Sequence, residues 1–298
     1  MKSGLLHSKN PTIERAVLAL KDAERKLVSG KWTFVSFEEM TAWSLEWADR
    51  LPRPDLVIAV PRSGLLPGVI VALRKGVPLS TPEIPPGSEW ASSHIPRSET
   101  HRILLVDDSV ATGKSLADAK AIVQESYPSA LIETAALIVS KESKDLVDYA
   151  GITIESPRVF EWNFLHSKKG KAAFDLDGVI AEEPEQGLRE DDTRYRAWIR
   201  AAKPFLIPTY TIDVIISNRP ESVREETEVW LKKYGVQYTD LILAPEESHG
   251  GKHAHKTAIL RATKPDIFFE SSPSEAATIS REARVPVLCV PERKIYNP

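Results

Sequence analysis

Apolar positions recur at two periods along the 298-residue chain, and the element type changes where the period changes. Residues 12–28 set Ile13, Val17, Leu18, Leu20 and Leu27 among charges at near-helical spacing. Residues 37–52 repeat that pattern with Met40, Trp43, Leu45 and Trp47, so both stretches are read as helices. At residues 55–60, DLVIAV between Pro54 and Pro61, the pattern becomes a short continuous apolar run, which suits a buried strand. LLPGVIVALRKGV then predicts a crossover helix stopped at Gly76. ILLV at 103–106 and LIETAALIV at 131–139 predict two more buried strands around a helix that begins after Ser115. Between Pro78 and His101, prolines 82, 85, 86 and 96 interrupt any period, which suggests a surface excursion or a cover over a nearby site.

GITIESPRVFEWNF at 151–164 gives a short strand and an aromatic patch of Phe160, Trp162 and Phe164. The strand and helix alternation then restarts at Ala172. Strands are expected at AAF, at 211–217, at DLILA, at DIFF and at VPVLCV, with helices near SVREETEVWLKKYG, KTAILRA and SEAATISREA. Such alternation predicts mostly parallel sheets covered by helices on both faces. The fold class is therefore α/β in two domains: an N-terminal helical extension over 1–34, a first domain over 35–165 and a second over 166–298.

Composition removes several function classes. A net charge of −3 gives no global attraction to nucleic acid or anionic membrane. The single cysteine, Cys289, excludes an internal disulfide framework. No stretch reaches the roughly 18 to 20 apolar residues that span a bilayer, and the opening MKSGLLHSKNP lacks the apolar run of a signal peptide, so a cytoplasmic location is the expectation. The sequence leaves self-association open.

Two stretches carry candidate chemistry. In RILLVDDSVATGKSL, residues 102–116, a buried strand delivers Asp107 and Asp108 and then a small-residue loop. Its ending is like that of a nucleoside-triphosphate loop, GxxxxGK[ST], but the position that needs the first glycine is Asp108, whose charge repels a polyphosphate. A monophosphate suits the order of charges better. Backbone N–H groups and hydroxyls from Ala111 through Ser115, opening a helix, can cradle it, while the carboxylates upstream accept hydrogen bonds from vicinal sugar hydroxyls. The ligand implied is a sugar 5-phosphate.

VDDSVATGKSL resembles the signature of the type I phosphoribosyltransferases, and AVPRSG at 59–64 resembles their pyrophosphate loop, over roughly residues 35–160. The resemblance implies a domain that binds phosphoribosyl diphosphate. Asp107 and Asp108 would hold the ribose hydroxyls, and Ala111, Thr112, Gly113, Lys114 and Ser115 the 5-phosphate. Arg62, Ser63 and Gly64 would hold the pyrophosphate, with Mg²⁺ bridging pyrophosphate and ribose oxygens. Members that act on 6-oxopurines commonly carry aspartate where this chain has Ala111, and alanine transfers no proton. The aromatic patch falls where related transferases form a hood over the acceptor base; a domain junction explains its burial as well.

In FDLDGVI, Asp175 and Asp177 follow a strand two residues apart, so that in extended chain both side chains point the same way. Such carboxylates tolerate each other around Mg²⁺, one attacking phosphorus while the other handles the leaving-group proton. Together with IISNR, a lysine opening a helix, and an acidic residue after DIFF, the pattern resembles the haloacid dehalogenase-like hydrolases across about residues 171–292. The resemblance implies Asp175 as nucleophile, Asp177 as general acid and base, Ser217 as phosphate binder, Lys256 or Lys252 as the steadying lysine, and Asp175, Asp177 and Glu270 around the metal. Asn218 and Arg219 read either as neighbours of the site or as a polar loop. Glu270 stands where the common pattern has paired aspartates, with Glu275 farther on. The insert EEPEQGLREDDTRYRAWI reads either as a small cap, with Asp191 and Asp192 screening substrates, or as a solvated excursion. His253 and His255 give too few ligands for zinc.

The expected function is bifunctional: phosphoribosyl transfer to a nucleobase or base-like acceptor, and phosphate-ester hydrolysis through an aspartyl-phosphate. Two alternatives stay open, a regulatory protein that binds phosphoribosyl diphosphate or a nucleotide, and a phosphatase carrying a non-catalytic phosphoribosyl module.

Overall fold

The structure is a computed structural model that describes residues 31–86, 88, 90, 100–168, 170–246 and 252–298. The helix expected over 12–28, much of the expected cover before His101, and the side chain of Lys252 lie outside the described residues. Among the described residues no helix is long and apolar enough to cross a membrane.

The first sheet contains β2 (Leu56–Ala59), β3 (Leu79–Ser80), β4 (Arg102–Ser109), β5 (Leu131–Val139) and β6 (Tyr149–Thr153). All pairings are parallel and the order is β3-β2-β4-β5-β6. Alternate residues serve opposite faces, as the two-residue strand period requires. Val57, Ala59, Leu104 and Val106 pack with helices α1 (Phe37–Arg50) and α2 (Leu65–Lys75), while Leu56, Ile58, Ile103 and Leu105 pack with α3 (Lys114–Ser126). The start of α1 is fixed by reciprocal bonds: Glu39 N–H donates to Ser36 Oγ at 3.1 Å and Ser36 N–H donates to Glu39 Oε2 at 2.9 Å. The chain runs from β2 outward to β3, then returns to β4 and proceeds the other way. A crevice therefore opens beyond the carboxyl ends of β2 and β4.

The second sheet contains β8 (Ala172–Phe174), β9 (Ile212–Pro220), β10 (Tyr238–Ala244), β11 (Ile267–Glu270), β12 (Val287–Cys289) and β13 (Lys294–Tyr296), in the order β10-β9-β8-β11-β12-β13 with only β13 antiparallel. Its direction of winding reverses at β8, so a second crevice lies beyond the ends of β8 and β11. Helix α4 (Asp192–Ala201) packs with α5 (Arg224–Lys233), while α6 (Lys252–Thr263) and α7 (Pro273–Ala283) cover the opposite face. The sequence-based excursion after Asp177 is thus partly a helix. Asp191 caps it by accepting the Arg194 N–H at 3.0 Å, and Tyr195 and Ile199 are buried.

Between the two sheets, β1 (Thr33–Val35) and β7 (Arg158–Phe160) form a parallel ribbon. Val35 and Phe160 enter the first domain's core, whereas Phe34 and Val159 enter the second's. Asn297 bonds both backbone groups of Trp32, at 2.7 and 3.0 Å, and Arg293 pairs with Glu161 at 2.9 Å. The expected boundary between residues 34 and 35 falls inside β1.

Candidate functional site

Packing joins the two motifs of the first crevice. A Cβ on Gly64 would lie 2.5 Å from the Val60 carbonyl oxygen and 3.0 Å from Asp107 Cα. Only glycine lets the 61–64 loop sit against the end of β4. Gly113, at φ +76°, turns the chain into α3, whose N-terminus has no side-chain cap. Ala111, Thr112, Lys114 and Ser115 are exposed beside it, as is Arg62 on the neighbouring loop, so N–H groups and hydroxyls at this helix start remain open to an anion. Lys114 extends over the helix surface to Asp118 at 2.5 Å.

Asp107 and Asp108 belong to β4 itself, because pairing with β5 continues to Ser109. Both are buried. Burial and the adjacent Asp108 push the Asp107 carboxyl up to about 8. Asp108 Oδ2 accepts the Trp162 indole N–H at 2.7 Å. Trp162 in turn stacks on Phe160, with centroids 4.7 Å apart and planes 4° apart. The buried guanidinium of Arg158 lies 5.3 Å from the Phe160 centroid and donates to the carbonyls of Val139, Ile154 and Val110. Burial pulls Arg158 down while Asp108 opposes that shift. The aromatic patch therefore divides. Phe160 and Trp162 pack against the first core beside Asp107 and Asp108, and Phe164 stacks on Phe269 of the second sheet at 5.6 Å. Neither the Trp162–Asp108 bond nor Arg158 was legible as a site feature in the sequence.

The second crevice holds a cavity of about 650 Å³ whose wall includes Asp175, Asp177, Asn218, Lys256 and Glu270. Gly178, at φ +75°, brings the aspartate loop against Ser271; a Cβ there would lie 2.5 Å from the Ser271 Cβ. Lys256 Nζ donates to Asp175 Oδ2 at 2.7 Å and to Glu270 Oε2 at 2.9 Å. Burial opposes the Lys256 charge, yet the two carboxylates hold its pKa above the ordinary lysine value. Burial pushes Asp175 up to about 8 against the pull of Lys256. The other Glu270 oxygen accepts the N–H groups of Ser271 and Ser272 at 2.9 and 3.0 Å.

Asp177 has two arginine partners. Fully buried Arg219 donates to Oδ1 through Nε at 3.0 Å and Nη2 at 2.6 Å, and Arg189 donates to Oδ2 at 2.8 Å. Arg219 is braced by Thr227 at 3.3 Å and by the Trp198 ring 5.5 Å away. Ser217 is buried, its hydroxyl accepting the Arg219 N–H at 3.2 Å; Asn218, and not Ser217, lies in the cavity wall. Asp191 and Asp192 serve the start of α4 and a pair with Arg196, whereas Glu183, Glu185, Arg189 and Glu190 face the cavity.

The metal set expected from sequence, Asp175, Asp177 and Glu270, is differently engaged. Lys256, Arg219 and Arg189 already match these three carboxylates, and all six of the carboxylate oxygens accept hydrogen bonds. Among the described residues no group of three or more His, Cys, Asp or Glu side chains is placed to hold a metal ion. As arranged, these side chains do not fit a dication.

Residues 45–168 match the phosphoribosyl transferase domain family. No curated protein matches the chain. Among solved structures, the chain is similar to a purine phosphoribosyltransferase from Pyrococcus horikoshii at 25% identity, covering 44% of this chain and 94% of that one with a TM-score of 0.36. It is also similar to the Helicobacter pylori xanthine-guanine-hypoxanthine phosphoribosyltransferase at 19% identity, covering 44% and 92% with a TM-score of 0.37. A third similarity is to an adenine phosphoribosyltransferase from Leishmania tarentolae, at 19% identity over 39% and 70% with a TM-score of 0.29. The chain thus carries, in its N-terminal part, a type I phosphoribosyltransferase-like domain.

Proposed function

We propose that the chain is a bifunctional enzyme divided near residue 165. The first domain transfers a phosphoribosyl group from the magnesium complex of phosphoribosyl diphosphate to a nucleobase or base-like acceptor. Asp107 and Asp108 accept hydrogen bonds from the ribose hydroxyls, residues Ala111 to Ser115 hold the 5-phosphate, and Arg62, Ser63 and Gly64 hold the pyrophosphate. Mg²⁺ bound with the donor would supply charge neutralisation for the departing pyrophosphate, and the repelling Asp107–Asp108 pair suits a ligand that brings positive charge. The bond from the anomeric carbon to pyrophosphate breaks as the bond to the acceptor nitrogen forms. The acceptor's proton passes to solvent, since Ala111 offers no base. Positioning supplies most of the acceleration. The observation that supports this reading is the close approach of the two motifs, so close that a Cβ on Gly64 would lie 3.0 Å from Asp107 Cα.

The second domain hydrolyses a phosphate monoester by the chemistry of the haloacid dehalogenase-like hydrolases. An Asp175 oxygen bonds to phosphorus as the ester P–O bond breaks, and Asp177 supplies the proton that the leaving alcohol takes. Water then attacks phosphorus, returns a proton to Asp177 and frees inorganic phosphate and Asp175. Lys256 orients Asp175, and Asn218 offers an amide to the phosphate. Arg189 must leave Asp177 when that residue takes up its proton. The supporting observation is the Lys256 bridge between Asp175 and Glu270 at the end of the central strand.

The test supplies the purified full chain with the donor, Mg²⁺ and a panel of bases, and measures pyrophosphate; a panel of phosphate monoesters is assayed for phosphate. Tight donor binding without pyrophosphate release across the panel would replace the transferase with a binding module. No phosphate from any ester would remove the hydrolase.

A further inference from the structure

The catalytic cavity of the second domain does not end at its carboxylates. Glu183, Ser271 and Ser272 also wall a second cavity of about 620 Å³, which continues past Lys203 to Phe205 and Pro291. Phe205 and Pro291 in turn wall a third, of about 430 Å³, which Phe37 and Glu161 of the first domain also line. Residues common to their walls set the three spaces in a row, together the trough, from Asp175 to the seam between the domains. Pockets for small ligands are commonly about 300–1,000 Å³, so a phosphate group alone fills a minor part of this one.

The chemistry of the wall changes in order along the trough. At one end stand the cations and carboxylates around Asp175. The middle offers Glu182, Lys203, Ser271 and Ser272, which are partners for hydroxyl groups. The far end is mostly apolar, with Phe37, Phe205, Leu288 and Val290 beside the Glu161–Arg293 pair. Phe205 is held for this role: its N–H donates to the Ile180 carbonyl at 2.8 Å, the next residue bonds Val179 at 3.0 Å, and the side chain remains 57% exposed. Phe37, 43% exposed, faces the same space from the other domain. Aromatic faces presented by a fixed backbone suit stacking with a flat heterocycle at small entropic cost.

We propose that this trough binds a nucleoside monophosphate, with phosphate at Asp175, sugar along Ser271 and Ser272, and base between Phe37 and Phe205. The proposal rests on the hydrolase reading above and names its substrate class. A base-bearing ribose 5-phosphate is also the product class of the first site, so the second reaction consumes what the first supplies. The trough's far end lies close to that site: Phe37 is 6.0 Å from Trp162, whose indole bonds Asp108.

The test uses the full chain carrying Thr112→Glu, which puts a carboxylate in the first site's phosphate loop so that binding there does not contribute. Calorimetry with adenosine 5′-monophosphate and with glycerol phosphate compares this protein with the same protein carrying Phe205→Ala or Phe205→Trp. Expected are at least a fivefold loss of nucleotide affinity in Phe205→Ala, retention in Phe205→Trp, and less than a twofold change for glycerol phosphate. Equal weakening of both ligands, no weakening, or no nucleotide binding overturns the trough. Phosphate release is followed in parallel: discriminating binding without release removes the hydrolase and keeps the trough, and release without discrimination does the reverse.

Discussion

The chain places an acidic pair beyond a parallel strand twice, and the two pairs are compensated in opposite ways. Asp107 and Asp108 have an indole and a backbone N–H as hydrogen-bond partners, with the buried Arg158 guanidinium near enough to feel the Asp108 charge but bonded to carbonyls, and the strain of the pair is relieved by a proton held on Asp107 up to about pH 8. Asp175 and Asp177 face Lys256, Arg219 and Arg189, three cations from separate elements. Burial raises a carboxyl in both, to about 8, so burial alone does not separate the sites. The partner does. Among the described residues the first pair has no cation bonded to its carboxylates, whereas the second pair has three.

The largest effect that sharpens this contrast is expected from Asp175→Asn. It should lower phosphate release by at least about a hundredfold and leave pyrophosphate release unchanged, as paired assays on one preparation would show. Persistent phosphatase activity would take the nucleophile away from Asp175. Next comes Arg219→Met, which takes the fully buried one of its two arginine partners from the Asp177 carboxylate and leaves Arg189. It should cost about 3–5 kcal/mol in denaturant unfolding, because half of a buried pair is worse than none. A loss under about 1 kcal/mol would mean that Arg189 alone suffices for Asp177.

Asp108→Asn should raise the apparent KM for phosphoribosyl diphosphate about tenfold or more, the weight of a hydrogen bond to a charged group, with phosphate release untouched. The pH dependence of stability gives a smaller, signed effect. Asp107 keeps its proton in the folded chain to about pH 8 but loses it near 3.8 when unfolded. Between these values the folded state binds more protons, so this group's contribution to stability declines as pH rises and levels off above about 8. Thermal melts of Asp107→Asn should fall less steeply from pH 5 to 8 than the parent's; parallel slopes would contradict the burial of this carboxyl. The smallest effect belongs to Asp118→Ala. It removes an exposed pair, with side chains 78% and 62% accessible, and should change stability by less than about 0.5 kcal/mol.

Legibility in the sequence followed the range of the interaction. LIETAALIV was readable as a strand to the residue, because an unbroken β-rich run between turn signals is a local signal. Lys256 is preferred to Lys252 in the sequence as the lysine expected to open a helix; the helix instead begins at Lys252, and one turn into it Lys256 meets Asp175 and Glu270. Arg219 was only half readable. It stands two residues after Ser217 in a strand, so the two-residue period puts it on Ser217's side, but the expected strand stopped at 217 and its side chain was left in a loop. Arg189 meets Asp177 because an insert folds back, and Trp162 meets Asp108 across 54 positions. No periodicity announces such pairs. The metal set shows the same limit, since the spacing of carboxylates says nothing of the cations that reach them from elsewhere.

The ribbon of β1 and β7 has one more consequence. Its alternate residues are hydrophobic content for two cores at once: losing Thr33–Val35 removes Val35 from one and Phe34 from the other. Neither half is then a module that can be cut out at a linker and studied alone. The molecule should melt in one cooperative transition, and a fragment made by cleavage near residue 165 should inherit an apolar wound on its seam, so that the route to separate activities runs through point variants of the whole chain.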